Sequence, residues 1–155
     1  ATRRGRNATV KCLIDHNAAV DQPNMQGLTP LMAAAQNGSR AIAICLIDGG
    51  AAVNYATSDG WSPLLVAARW KHVGIVRCLL DRGAVIDQPN NMGFTALCVA
   101  AKHNSLGVAK LLVKRKANID RADKVQWLQQ PGVVASMPSP PLPPVHAPNI
   151  PCRMH

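Results

Sequence analysis

Three thiols recur at one interval: Cys12, Cys45 and Cys78 stand 33 residues apart. Thiols at a fixed spacing are what a metal ladder or a row of disulfides needs. If the interval is one structural unit, and units stack at the helix-packing distance of about 8–10 Å, the geometry fails. A disulfide needs Cα atoms within about 7 Å, and a shared zinc needs bonds of about 2.3 Å. The three cysteines read better as small apolar side chains in a core. Cys152 and His155 form half of a zinc pattern with nothing to complete it. The five histidines are scattered, there is no Glu, and several of the eight Asp sit at fixed positions of the period. The sequence holds no Gly-rich phosphate loop, no H-E-x-x-H and no Ser or Cys nucleophile motif. We assign no catalytic, cofactor-binding or metal residue and do not read the chain as an enzyme.

The elements that place these residues follow from the same interval. Gly27-Leu28-Thr29-Pro30-Leu31, Gly60-Trp61-Ser62-Pro63-Leu64 and Gly93-Phe94-Thr95-Ala96-Leu97 share one register. Each is followed by an Ala pair (Ala34-Ala35, Ala67-Ala68, Ala100-Ala101), then by Cys45-Leu46-Ile47, Cys78-Leu79-Leu80 and Leu111-Leu112-Val113. Next come Ala51, Ala84 and Ala117, then Asn54, Asp87 and Asp120, while Cys12, Ala18 and Asp21 extend the register backward. Thr29, Ser62 and Thr95 are predicted N-caps, with Pro30 and Pro63 at the first helical position, where no N–H is missed. The Ala pairs allow close helix approach. Ile42, Cys45 and Leu46 form the i, i+3, i+4 stripe of a second helix, repeated by Ile75, Cys78 and Leu79 and by Val108, Leu111 and Leu112. Gly50 and Gly83 are predicted to end the second helix in the left-handed region. Gly27, Gly60 and Gly93 mark the turn of a hairpin-like loop.

A 33-residue unit reading G-x-T-P-L-x-x-A-A, then L-L, then G-A resembles the ankyrin repeat family. The resemblance covers residues 1–124 and implies an all-α ankyrin repeat solenoid. Its divisions are a partial repeat 1–26, repeats 27–59, 60–92 and 93–124, and a tail 125–155. The chain starts inside the first helix of a unit, so it is expected to be a piece of a longer protein. It departs from the pattern where Lys71 and Asn104 replace the inter-helix Gly and Lys116 replaces the helix-ending Gly. Met32, Leu65 and Cys98 replace the family's His, which removes a usual hydrogen bond. From position 125 the register is lost, and eight of the twelve prolines lie at 131 and beyond. That composition suits a disordered or polyproline-like tail. Trp127 and Leu128 are candidates to fold back over the last repeat, and Pro140 to Pro144 offers a motif for Pro-reading domains.

A repeat array offers an extended concave surface to a partner. The resemblance puts partner contacts at the hairpin tips and on the exposed side of the first helices. At the tips these are Met25 and Leu28 beside Gln26; Ser58, Asp59 and Trp61; and Asn91, Met92 and Phe94. On the first helices they are Arg3 and Arg4, Gln36 and Asn37, Arg69 and Trp70, and Lys102 and His103. Trp61, Trp70 and Phe94 are expected to be exposed hot-spot side chains, or else to pack against a neighbouring hairpin. The first-helix row is basic with no acid in it, and the chain carries a net charge of +9. Both features suit an acidic protein segment as partner.

Several alternatives accompany this reading. One is a nucleic-acid or anionic-membrane binder, against which the lack of a recognition motif speaks. Another is a non-catalytic segment of a larger enzyme, channel or signalling protein. The odd cysteine count points to free thiols and the cytoplasm. Lys114-Arg115-Lys116 would serve nuclear import or lipid contact in the alternatives. The longest uncharged apolar run, Ala41 to Ile47, is far short of a membrane span, and a monomer is expected.

Overall fold

The computed structural model describes residues 19–119, together with Cys12. Six helices and no strand occur among the described residues: α1 (Pro30–Gln36), α2 (Arg40–Asp48), α3 (Pro63–Arg69), α4 (Val73–Asp81), α5 (Ala96–Lys102) and α6 (Leu106–Lys114). Each odd helix packs on the even helix that follows it. The odd helices form one row, α1 on α3 on α5, and the even helices a second, α2 on α4 on α6. Helices of this length do not persist alone in water, so the rows survive by sharing one core. Leu31, Met32, Leu64, Leu65, Ile75, Leu79, Val108 and Leu112 are buried along it. Ala34, Ala35, Ala67, Ala68 and Ala100 are buried where the rows approach. The truncated repeat and the tail lie largely outside the described residues, as does the proposed role of Trp127 and Leu128.

The expected caps form. The hydroxyls of Thr29, Ser62 and Thr95 accept from the backbone N–H of Met32, Leu65 and Cys98, each at 3.4 Å. Pro30 and Pro63 open α1 and α3. Where Cys98 stands in place of the family's His, its sulfur lies 3.2 Å from the Thr95 hydroxyl, while Met32 and Leu65 are apolar filler. Each even helix closes with a left-handed residue and a backbone bond reaching back five residues. Ala51, Ala84 and Ala117 donate to the carbonyls of Leu46, Leu79 and Leu112. That residue is Gly50, Gly83 or Lys116, the last with φ 64°.

The link between the two helices of a unit also needs a positive φ, taken by Gly38, Lys71 and Asn104. Gly38 has a second reason to be glycine. A Cβ there would come within 2.7 Å of the His72 ring, whose Nε2 lies 3.1 Å from the Gln36 carbonyl. One unit on, Lys71 takes the Gly38 position and Ser105 the His72 position, so the smaller neighbour accompanies the larger residue.

Polar brackets tie unit to unit. Asp21 accepts from the Ala52 N–H at 2.9 Å, Asn54 from Val85 at 2.9 Å and Asp87 from Asn118 at 3.0 Å. Arg82 pairs with Asp48, and Arg115 with Asp81 at 2.6 Å, between successive even helices. In the last described unit Leu106, Val113 and Ile119 are exposed. Their counterparts one unit earlier, Val73, Leu80 and Ile86, pack against the core.

Candidate binding wall

The odd helices and the hairpin loops preceding them make one continuous wall. Each loop closes on itself: Asn24, Thr57 and Asn90 donate their backbone N–H to the carbonyls of Leu28, Trp61 and Phe94, each at 3.0 Å. The side-chain oxygens of the same three residues accept from the backbone N–H of Leu28 at 2.9 Å, Trp61 at 3.1 Å and Phe94 at 2.9 Å. The residue after each turn Gly is therefore clamped, and its side chain is directed inward.

This corrects four of the expected contact residues. Trp61 is 6% exposed and Phe94 4%, and Leu28 and Gln36 are buried as well. The reason is position. Each of Leu28, Trp61 and Phe94 directly precedes the N-cap of an odd helix, where an apolar side chain folds down onto the first turns. That signal is present in the sequence, in the order apolar residue, Ser or Thr, Pro or Ala. Trp70 and Arg69 are partly buried, as is His103.

The remaining expected residues are accessible. Met25 is fully exposed at the first tip, and Asn37, Ser58, Asp59, Asn91, Met92 and Lys102 are exposed too. Arg3 and Arg4 lie outside the described residues. Asn91 is partly committed to structure: its backbone N–H donates to the Asp59 carbonyl at 3.1 Å and its Nδ2 to the Ser58 carbonyl at 2.7 Å. These bonds join the second tip to the third, and Gly60 leaves room for them, since a Cβ there would meet the Asn91 backbone nitrogen at 2.7 Å.

The buried rings carry cations. The Arg69 guanidinium sits 5.7 Å from the Trp61 ring centre, and the Lys102 ammonium 5.4 Å from the Phe94 ring centre. Both pairs occupy the same two positions of the period, and each cation is the last residue of its helix, where the helix dipole favours positive charge. The first complete unit has Leu28 and Gln36 at these positions, with neither ring nor charge.

Positive charge accumulates there. Lys102 is exposed as a whole, but partial burial, and then Arg69, lowers its pKa. His103, the C-cap of α5, is held below the ordinary histidine value by burial first, then by Arg69, Lys102 and Lys71. The three charges that lower it are all positive. The indole Nε1 of Trp70, one unit back from His103, is buried without a hydrogen-bond acceptor. The wall around α3 and α5 is thus rich in donors and cations.

Among the described residues, no three His, Cys or Asp side chains converge as metal ligands. Cys45 and Cys78 are free thiols, Cys78 buried and its pKa raised by that burial. No helix among the described residues is long and apolar enough to cross a membrane.

Helix pairs stacked in register, capped alike and bracketed unit to unit define a repeat solenoid. The chain belongs to the ankyrin repeat family: the family model for ankyrin repeats (three copies) matches residues 1–56 and 42–123. No curated relative matches the chain. Ankyrin repeats are in general modules of protein–protein interaction, without catalysis of their own.

Proposed function

We propose that this chain is a non-catalytic interaction module, a scaffold or adaptor, that holds an acidic protein segment on the wall made by α3, α5 and their loops. The observation that carries this reading is the paired arrangement of Arg69 over Trp61 and Lys102 over Phe94. Two cations fixed on aromatic floors, one repeat apart, match carboxylates spaced along an extended chain. The partner contacts are Arg69, Lys71, Lys102 and His103, with Met25, Asn37, Ser58, Asp59, Trp70, Asn91 and Met92 around them. Trp61, Phe94, Leu28 and Gln36 act from beneath, as support. Arg3 and Arg4 would extend the same row by register. The setting is the cytoplasm, and the module acts as a monomer.

A labelled Asp- and Glu-rich peptide titrated with the protein tests this by fluorescence anisotropy. Wild type is expected to bind with an affinity that falls as salt rises. The double variant Arg69→Gln, Lys102→Gln is expected to weaken Kd by about tenfold or more, about 1.4 kcal/mol. Undiminished binding by that variant removes the wall from the account. A DNA oligonucleotide of equal charge that binds more tightly than the peptide turns the reading toward nucleic acid.

A further inference from the structure

The last described unit lacks cover that its predecessors have. Ala101 on α5 is exposed, whereas Ala35 and Ala68 at the same position are buried. Leu106, Val113 and Ile119 are exposed, whereas Val73, Leu80 and Ile86 pack against the core. Gly107 shows where that cover comes from: a Cβ on it would lie 3.0 Å from the Val73 side chain. The even helix of the following unit thus lies against Val73, and the face carrying Leu106 is the one on which a further unit would stack. An apolar end of this kind calls for a cap.

The residues that follow Ile119 carry half of the next unit's pattern. The chain leaves α6 on the course of the earlier units, with Asp87 accepting from the Asn118 N–H as Asn54 does from Val85. In the earlier units that course leads into a loop in which Thr57 or Asn90 accepts from the N–H of Trp61 or Phe94. The register puts Asp123 at the clamping position and Trp127 at the clamped one. Asp supplies the side-chain acceptor that the clamp needs. Gln126 stands at the turn Gly, yet Lys71, Asn104 and Lys116 already adopt positive φ in this chain. Leu128 replaces the N-cap hydroxyl, and no Ala pair follows. The loop therefore recurs and its helix pair does not.

We propose that residues 120–128 form one more hairpin loop, which lays Trp127 and Leu128 over the apolar end of α5 and α6. The segment is joined directly to the face it covers, so docking costs far less freedom than association does. A second copy is disfavoured by charge: the chain carries +9, and Lys110 and Lys114 are exposed on the same helix as Leu106 and Val113.

The test uses the whole chain. Subtracting the emission of Trp127→Ala from that of wild type isolates Trp127. That emission is expected to be blue-shifted and shielded from acrylamide. Trp127→Ala should lower both the urea midpoint and the slope, since less surface is buried. Val113→Lys, on an exposed position, should open Trp127 to the quencher. Asp123→Ala should do the same, and Asp123→Asn, which keeps an acceptor, should not. A Trp127 quenched as freely in wild type as in urea overturns the proposal. So does shielding that survives Val113→Lys or Asp123→Ala. Shielding lost on dilution, with a dimer in sedimentation, gives the face to a second copy and overturns it as well.

Discussion

The first complete unit and the two that follow share backbone, caps and brackets, yet only the later two carry charge on the wall. At the position before the N-cap stand Leu28, Trp61 and Phe94; at the last helical position stand Gln36, Arg69 and Lys102. All three residues of the first set are buried. Where the floor is aromatic the side chain above it is a cation, and where the floor is aliphatic it is a neutral amide. An aromatic face attracts a cation and Leu does not. The stack therefore separates two tasks: the period fixes which positions meet, and the residue types at those positions decide what the wall holds.

The largest break in that comparison comes from removing a floor. Trp61→Ala empties a buried site in the middle of the stack and is expected to cost about 3–5 kcal/mol of stability, read by urea unfolding. Trp61→Leu copies the first unit and should cost less. It should also weaken acidic-peptide binding in the folded protein by releasing the Arg69 guanidinium from its platform. If Trp61→Leu binds the peptide as wild type does, the ring is packing alone, and the difference between the units has no bearing on partners.

A sharper comparison concerns the links between helices. Gly38→Ala places a Cβ against the His72 ring in a left-handed backbone. The ring must move, and its contact with the Gln36 carbonyl is lost. We expect a cost of about 2–3 kcal/mol. In a His72→Ser background, which copies the next unit, the steric part vanishes and about 1 kcal/mol of backbone strain remains. The double-mutant cycle should show a coupling of about 1 kcal/mol or more. Additive effects would mean that the Gly38 and His72 positions do not constrain one another, and that Lys71 facing Ser105 is coincidence.

The parts of this molecule readable in the sequence were those set by local backbone chemistry. Thr29, Ser62 and Thr95 cap helices because a hydroxyl beside an orphan N–H does so in any context. Gly50 and Gly83 adopt positive φ because the helix end calls for it. For Trp61 and Phe94 the sequence leaves exposure and packing both open, and the rings are buried. A hairpin loop has no fixed side-chain period, and the family's contact positions include the residue after the turn Gly. Its inward turn depends on the clamp from Thr57 and Asn90, whose role appears only once the loop is closed. Trp70 fell between the two expectations, partly buried with an unaccepted indole N–H. The pairing of Arg69 with Trp61 spans eight residues across a loop and a helix, beyond any spacing rule applied to the sequence.

The smallest effect lies at the last even helix. Its terminal left-handed position holds Lys116 where the earlier units have Gly50 and Gly83. An L-residue in that region costs about 1–2 kcal/mol, and glycine returns part of the gain by widening the unfolded ensemble. Lys116→Gly is therefore expected to stabilise the stack by about 0.5–1 kcal/mol. The closing bonds from Lys116 to Val113 and from Ala117 to Leu112 use backbone groups that glycine also has, so the geometry need not change. The gain should appear as a later urea midpoint with an unchanged slope. The acidic peptide should bind as before, because Lys116 stands at the end of α6, away from the row that carries Arg69 and Lys102. A loss of peptide affinity in this variant would show that charge on the second-helix row contributes to the wall, and the contrast between the units would then extend across both rows.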